Sequence, residues 1–125
     1  MASELRVNTL KDAAGNNSVA MQYVAEGSAK AWLSYKGTDT VAIRDSFNIS
    51  GVVDNGTGSY TPSFSNVFNS ISYSASGGAG SSNSNGFVRL NTPAAGSQDL
   101  ETRASNAGTQ YDEAVTRFTA HGDLA

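Results

Sequence analysis

Apolar and small polar residues alternate at a period of two along most of this 125-residue chain, and glycine, asparagine and aspartate break the alternation at short intervals. The stretch Gly51 to Ser65, GVVDNGTGSYTPSFS, shows the pattern best. Asp54-Asn55-Gly56 is a hairpin signal, because Asn and Gly accept the positive φ of a tight turn. Beyond it, Tyr60, Pro62 and Phe64 alternate with Thr61, Ser63 and Ser65, which puts one face of a strand in a core and the other in water.

The same reading extends along the chain. Ala31, Leu33 and Tyr35 share a strand face, and Lys36-Gly37-Thr38-Asp39 makes a break. Val41 and Ile43 share a face, and Phe47 and Ile49 lead into the hairpin. Ile71, Tyr73 and Ala75 alternate with serines; Phe87, Val88 and Leu90 form a short strand; Leu100 and Thr102 alternate with Glu101 and Arg103. A last long strand, Ala114 to His121, has Ala114, Thr116, Phe118 and Ala120 on one side. Short antiparallel strands with frequent turns predict an all-β fold, a jelly-roll-like β-sandwich over residues 29–125, with no helix of three turns. Its core is expected at Leu33, Tyr35, Ile43, Phe47, Ile49, Tyr60, Phe64, Ile71, Tyr73, Val88, Leu90 and Phe118.

Residues 1–28 read differently. Leu5, Val7 and Leu10 precede the turn residues Asp12 to Asn17, and Val19 to Val24, including Tyr23, resumes an extended or irregular run. An extended N-terminal β-arm of this kind has too little apolar surface to stand alone, so it is expected to dock on its own domain, on sibling chains or on a larger assembly. The segment Gly77 to Gly86, GGAGSSNSNG, is expected to be a loop, whose Ser81, Ser82, Asn83 and Asn85 are candidate partner contacts.

Composition narrows the chemistry. A net charge of −3 with scattered basic residues argues against nucleic acid. No cysteine and a single histidine, His121, leave no expected metal site, and no G-x-S-x-G elbow, Walker loop or calcium-loop spacing marks catalysis or a cofactor. Asp39, Asp45 and Asp54 sit where turns want Asp for backbone reasons. No leader or membrane-spanning run is seen, which predicts synthesis in a cytoplasm without membrane insertion. One residue breaks the inside-outside rule: Trp32 has the parity of Lys30, Ser34 and Lys36. It therefore faces out, either covered by a loop or subunit or serving as a stacking platform for a sugar ring.

The run Ala31 to Ser65, with AWLSYKGT, IRDSFN and DNGTGSYT in that order, resembles a segment of tail-fibre-type structural proteins of marine and environmental tailed bacteriophages. The terminal Gly122-Asp123-Leu124 and the arm SELRVNTLKDAAGNNS are similar to theirs as well. The resemblance implies a β-rich virion protein assembled in the host cytoplasm, a homotrimer that contacts a host-surface glycan, with the arm anchored on other virion proteins. A chain this short leaves no room for a shaft. The alternative expectation is a capsid decoration (cement) protein whose arm clamps the shell.

Overall fold

The computed structural model describes residues 2–80, 86–104 and 108–125. The chain opens with a hairpin of β1 (Thr9–Lys11) and β2 (Ser18–Ala20), in register Leu10 opposite Val19. Its turn is built by Asp12, whose carboxylate accepts from the Asn16 backbone at 2.9 Å and from Asn17 Nδ2 at 2.7 Å, with Gly15 at φ +71°. The bond from Asn17 holds the Asp12 carboxyl below its ordinary range.

Helix α1 (Met21–Gly27) follows, where an extended run is expected from Val19 to Val24. Val19, Met21 and Tyr23 alternate, but Met, Gln, Ala and Glu are good helix formers, and so short a segment fits either period. The arm is therefore a hairpin and a two-turn helix, and the helix has no buried residue.

Eight further strands make the sandwich. One antiparallel sheet contains β3 (Ala31–Lys36), β4 (Ala42–Phe47), β7 (Ser74–Ala79) and β10 (Thr116–His121), in the order β4-β3-β10-β7. The other contains β5 (Ile49–Gly56), β6 (Ser59–Phe64), β8 (Gly86–Ala94) and β9 (Ser97–Ala104), in the order β5-β6-β9-β8. The fold is all-β, built as sandwiched layers of short antiparallel strands. The first and last strands, β3 and β10, lie side by side, with Leu33 opposite Phe118.

The core follows the alternation. Ala31, Leu33 and Tyr35, then Tyr60, Pro62 and Phe64, then Leu100, Phe118 and Ala120 are buried, and Ile49, Tyr73, Val88 and Leu90 pack against them. Burying each large side chain contributes roughly 1.5–3 kcal/mol. Tyr35 of one sheet meets Tyr60 of the other edge to face at 5.1 Å, and Phe64 contacts Phe68, Tyr73 and Phe118.

Three expected core residues are instead exposed: Ile43, Phe47 and Ile71. Asn48, at φ +57°, ends β4, so the parity of Phe47 is not continuous with that of Ile49. Phe47 pairs directly with Trp32 and so shares its outward face. Ile43 lies on an edge strand beyond a register shift, and Ile71 precedes β7 in irregular chain. A further correction concerns the glycine run. Gly77, Gly78 and Ala79 are not loop but strand, paired with Phe118, Arg117 and Thr116 of β10. Gly77 faces inward, where a Cβ would lie 3.0 Å from Val88 Cγ1, so its missing side chain lets the two sheets approach. The expected hairpin is present, but its reversal falls at Thr57-Gly58, because Asn55 is taken up in a bulge.

One end of the sandwich is fastened by a polar cluster. Tyr60 Oη shares its proton between Asp112 Oδ1 at 2.6 Å and the Gly37 carbonyl at 3.0 Å, and the Gly58 backbone N–H donates to the same Asp112 oxygen at 2.7 Å. Gly58 has φ +66°, and a Cβ there would sit 2.7–2.8 Å from the backbone of Tyr111 and Thr102. Gly58→Ala is therefore expected to destabilise the fold by at least about 2 kcal/mol. Gly78→Ala, where nothing lies within 4 Å, is expected to be within about 0.5 kcal/mol of wild type; urea unfolding of the pair checks this.

Burial pushes the Tyr35 and Tyr60 phenols well above their ordinary range, and at Tyr60 the Asp112 carboxylate adds to the effect. Below the ordinary phenol pKa of about 10 both groups are neutral whether folded or not, and their contribution is fully present. Above it the unfolded chain releases protons that the folded chain keeps, so stability falls as pH rises. The thermal midpoint is expected to drop from about pH 10 upward, less steeply in Tyr60→Phe; a midpoint indifferent to pH there contradicts the assignment.

Candidate functional site

The two sheets turn chemically different faces to solvent. On the β4-β3-β10-β7 sheet, the pairing places Phe47, Trp32, Thr119 and Ser76 in one row across all four strands. The next row is Asp45, Ser34, Arg117 and Gly78. Trp32 is 38% exposed and Phe47 54%. Directly paired residues on one sheet face hold their Cβ atoms about 5 Å apart, so Trp32 and Phe47 leave adjacent strands on the same face as an exposed aromatic strip. Ser76, Gly78, Arg117 and Thr119 border a shallow groove of about 230 Å³ beside it, and Gly78 leaves its floor open. Among the described residues Arg117 makes no ion pair and no side-chain hydrogen bond. An aromatic strip flanked by Arg, Asp and Ser can take the C–H face of a sugar and hydrogen-bond its hydroxyls.

The outer face of the β5-β6-β9-β8 sheet carries a wider polar groove, about 1060 Å³, lined by Asn55, Thr61, Arg89, Asn91, Asp99 and Glu101 among others. Ser59, Glu101 and Arg89 are register partners across three strands. Thr61 Oγ1 donates to Asp99 Oδ1 and accepts from Asn55 Nδ2, both at 2.8 Å. Arg103 contacts Glu101 at 2.7 Å and Arg89 lies 3.9 Å from it; the hydrogen bond from Arg103 holds the Glu101 carboxyl below its ordinary range. Sequence reasoning missed this groove. The parity of Asp99, Glu101 and Arg103 was legible as the outside of a strand, but β9 lies between β6 and β8, and only that non-local pairing gathers the lining.

Of the residues singled out from sequence, Trp32 lies on the aromatic strip. Leu10 and Val19 are cross-strand partners, both exposed, and line a small groove of about 280 Å³ on the arm hairpin. Leu5 and Tyr23 are exposed on the arm, the latter on α1, and Val7 is half-buried. Ser81, Ser82, Asn83 and Asn85 lie outside the described residues. His121 is half-buried at the end of β10. Among the described residues no three His, Cys, Asp or Glu side chains converge as a metal site, and no helix is long and apolar enough to cross a membrane. Comparison with protein-family models, with curated proteins and with solved structures returns no match.

The chain has one tryptophan, so its fluorescence reports this face alone. Emission of the folded protein is expected to be quenched efficiently by acrylamide. Trp32→Ala is expected to cost less than about 1 kcal/mol, against about 3–5 for Phe118→Ala in the core. Inaccessible emission, or equal losses in thermal unfolding, removes the strip as a surface feature.

Proposed function

We propose that this chain is a virion structural protein of the tail-fibre type, a trimeric β-knob that contacts a glycan on the host surface. The observation that carries the reading is the Trp32–Phe47 strip, two large aromatics side by side on a rigid sheet where the alternation otherwise places polar residues. The likeness of Ala31 to Ser65 to phage tail-fibre-type segments supports it, as does an arm whose Leu5, Leu10, Val19 and Tyr23 are left uncovered. In this reading the arm engages sibling chains and other virion proteins, and the knob is left free.

A shallow strip suffices for adhesion by avidity. A millimolar site is worth only about −4 kcal/mol, but three copies per knob and several knobs per particle raise the effective affinity by roughly 10²–10⁴. The second reading, a capsid decoration protein, is favoured by the arm alone: its exposed apolar side chains also suit a clamp on neighbouring shell subunits.

Labelled full-length protein is expected to sediment as a trimer and to bind cells of the phage's host, with Trp32→Ala and Phe47→Ala each lowering cell binding about tenfold or more. A folded trimer that binds no host cell defeats the adhesin. Particles that lack the protein, adsorb normally and lose heat resistance assign it to the capsid.

A further inference from the structure

The groove on the β5-β6-β9-β8 sheet belongs to neither the aromatic strip nor the arm, and its chemistry narrows what fits it. Asn55 comes from β5, Thr61 from β6, Asp99 and Glu101 from β9, and Arg89 and Asn91 from β8, so the groove crosses the whole sheet and is open to solvent.

A cation is a poor occupant. Calcium and magnesium need several uncompensated oxygens turned inward, whereas the charge of Glu101 is met by Arg103 and Arg89 and one Asp99 oxygen is held by Thr61; the remaining carboxylate lone pairs can still accept from a neutral hydroxyl. An anion is equally poor, because Arg89, the one basic residue among the described lining, already faces Glu101 at 3.9 Å and Asp99 lies on the same strand face. Little apolar surface lines the groove, which disfavours a hydrophobic peptide or a lipid chain.

An uncharged ligand rich in hydroxyls remains, since each hydroxyl both donates and accepts. From β5 to β8 the groove presents the Asn55 amide, whose nitrogen already gives one bond to Thr61 of β6, then the Asp99 and Glu101 carboxylates of β9, then Arg89 and Asn91 of β8, on strands about 4.8 Å apart. A linear polymer laid across them meets carboxylate acceptors on β9 and donors on the neighbouring β8, and the remaining N–H of Asn55 on β5. We infer that this groove is a second binding site, distinct from the Trp32 strip, for a segment of uncharged linear polysaccharide. It holds the ligand by hydroxyl hydrogen bonds to Asp99, Glu101, Arg89 and Asn91, with no aromatic stacking. The inference rests on the groove alone and needs no virion assignment.

The test is a titration of the ¹⁵N-labelled full chain with cellohexaose, maltohexaose and mannohexaose, with hexagalacturonate and calcium chloride as charged controls. At least one neutral hexasaccharide is expected to shift the amides of Thr61, Asn91, Asp99 and Glu101 saturably at about 10 mM or below, as a weak site requires. Asp99→Ala is expected to weaken that response about tenfold or more, and Trp32→Ala is expected to leave it unchanged. If Asp99→Ala does not fold, Asn91→Ala takes its place. The inference is overturned if no neutral hexasaccharide moves these amides, or if hexagalacturonate or calcium moves them instead. It is also overturned if they move on dilution, which marks the face as a contact between subunits. Loss of host-cell binding with intact groove shifts counts against the adhesin reading and leaves the groove site standing.

Discussion

Tyr60 ties the two sheets of the sandwich to each other. Its ring lies on the inner face of β6 and meets Tyr35 of the opposite sheet edge to face, while its hydroxyl reaches Gly37, just past the end of β3, and Asp112, in the segment leading to β10. One fully buried side chain thus joins both sheets, and Asp112 extends the fastening to the hairpin turn through the Gly58 backbone. The cluster requires glycine at two places for different reasons. At Gly37 a Cβ would lie 2.5 Å from the Tyr60 hydroxyl, so closeness decides; at Gly58 the left-handed backbone and the backbone of residues 102 and 111 decide together. A charge-assisted hydrogen bond of this kind contributes more than a neutral one, and replacing Tyr60 takes its donor from the Gly37 carbonyl and leaves Asp112 Oδ1 with the Gly58 N–H.

Fixing the sheets in this way also fixes what they turn outward. With the inner faces committed to Leu33, Tyr35, Tyr60, Phe64, Leu100 and Phe118, every second residue is delivered to solvent in rows that run across the strands. On one side the rows contain Trp32 and Phe47 next to Ser34 and Arg117; on the other they contain Ser59, Glu101 and Arg89. The grooves described on the two faces are shallow and open to solvent. Both have side chains held by a paired backbone, so recognition by such a surface depends on preorganised rows and repeated copies rather than on enclosure.

How much of this was legible in the sequence depended on whether the information was local. Tyr60, Pro62 and Phe64, like Thr116, Phe118 and Ala120, alternate strictly within one strand, and their burial follows directly from that pattern. Phe47 misled because a residue at φ +57°, Asn48, resets the alternation between two strands, and a sequence does not announce a left-handed asparagine. The Gly77–Ala79 segment misled because its composition is that of a loop, while its hydrogen bonds and its close approach to Val88 come from β10 and β8, both distant along the chain. Trp32 was legible by parity, but the ring beside it was not, since that required the register of β3 on β4. The polar groove was invisible for the same reason in stronger form: its six principal residues come from four strands.

The arm is held by a different kind of interaction from the sandwich. A three-residue hairpin is marginal in water, and a seven-residue helix is too short to persist on propensity alone. What orders them locally is polar and small: the Asp12 turn, the Met21 N–H bonded to the Asn8 carbonyl, and the short pairing around Leu10 and Val19. None of the residues that fasten the sandwich through Tyr60 comes from the arm. The exposed apolar side chains of the arm, Leu5, Leu10, Val19 and Tyr23, take no part in that fastening. The arm still adjoins the sandwich at its end, where Glu26 of α1 shares a groove with Asn69, Ser72, Tyr73 and Asp123 and Lys30 donates to the Ala25 carbonyl, so what distinguishes it is incomplete burial of its apolar side chains.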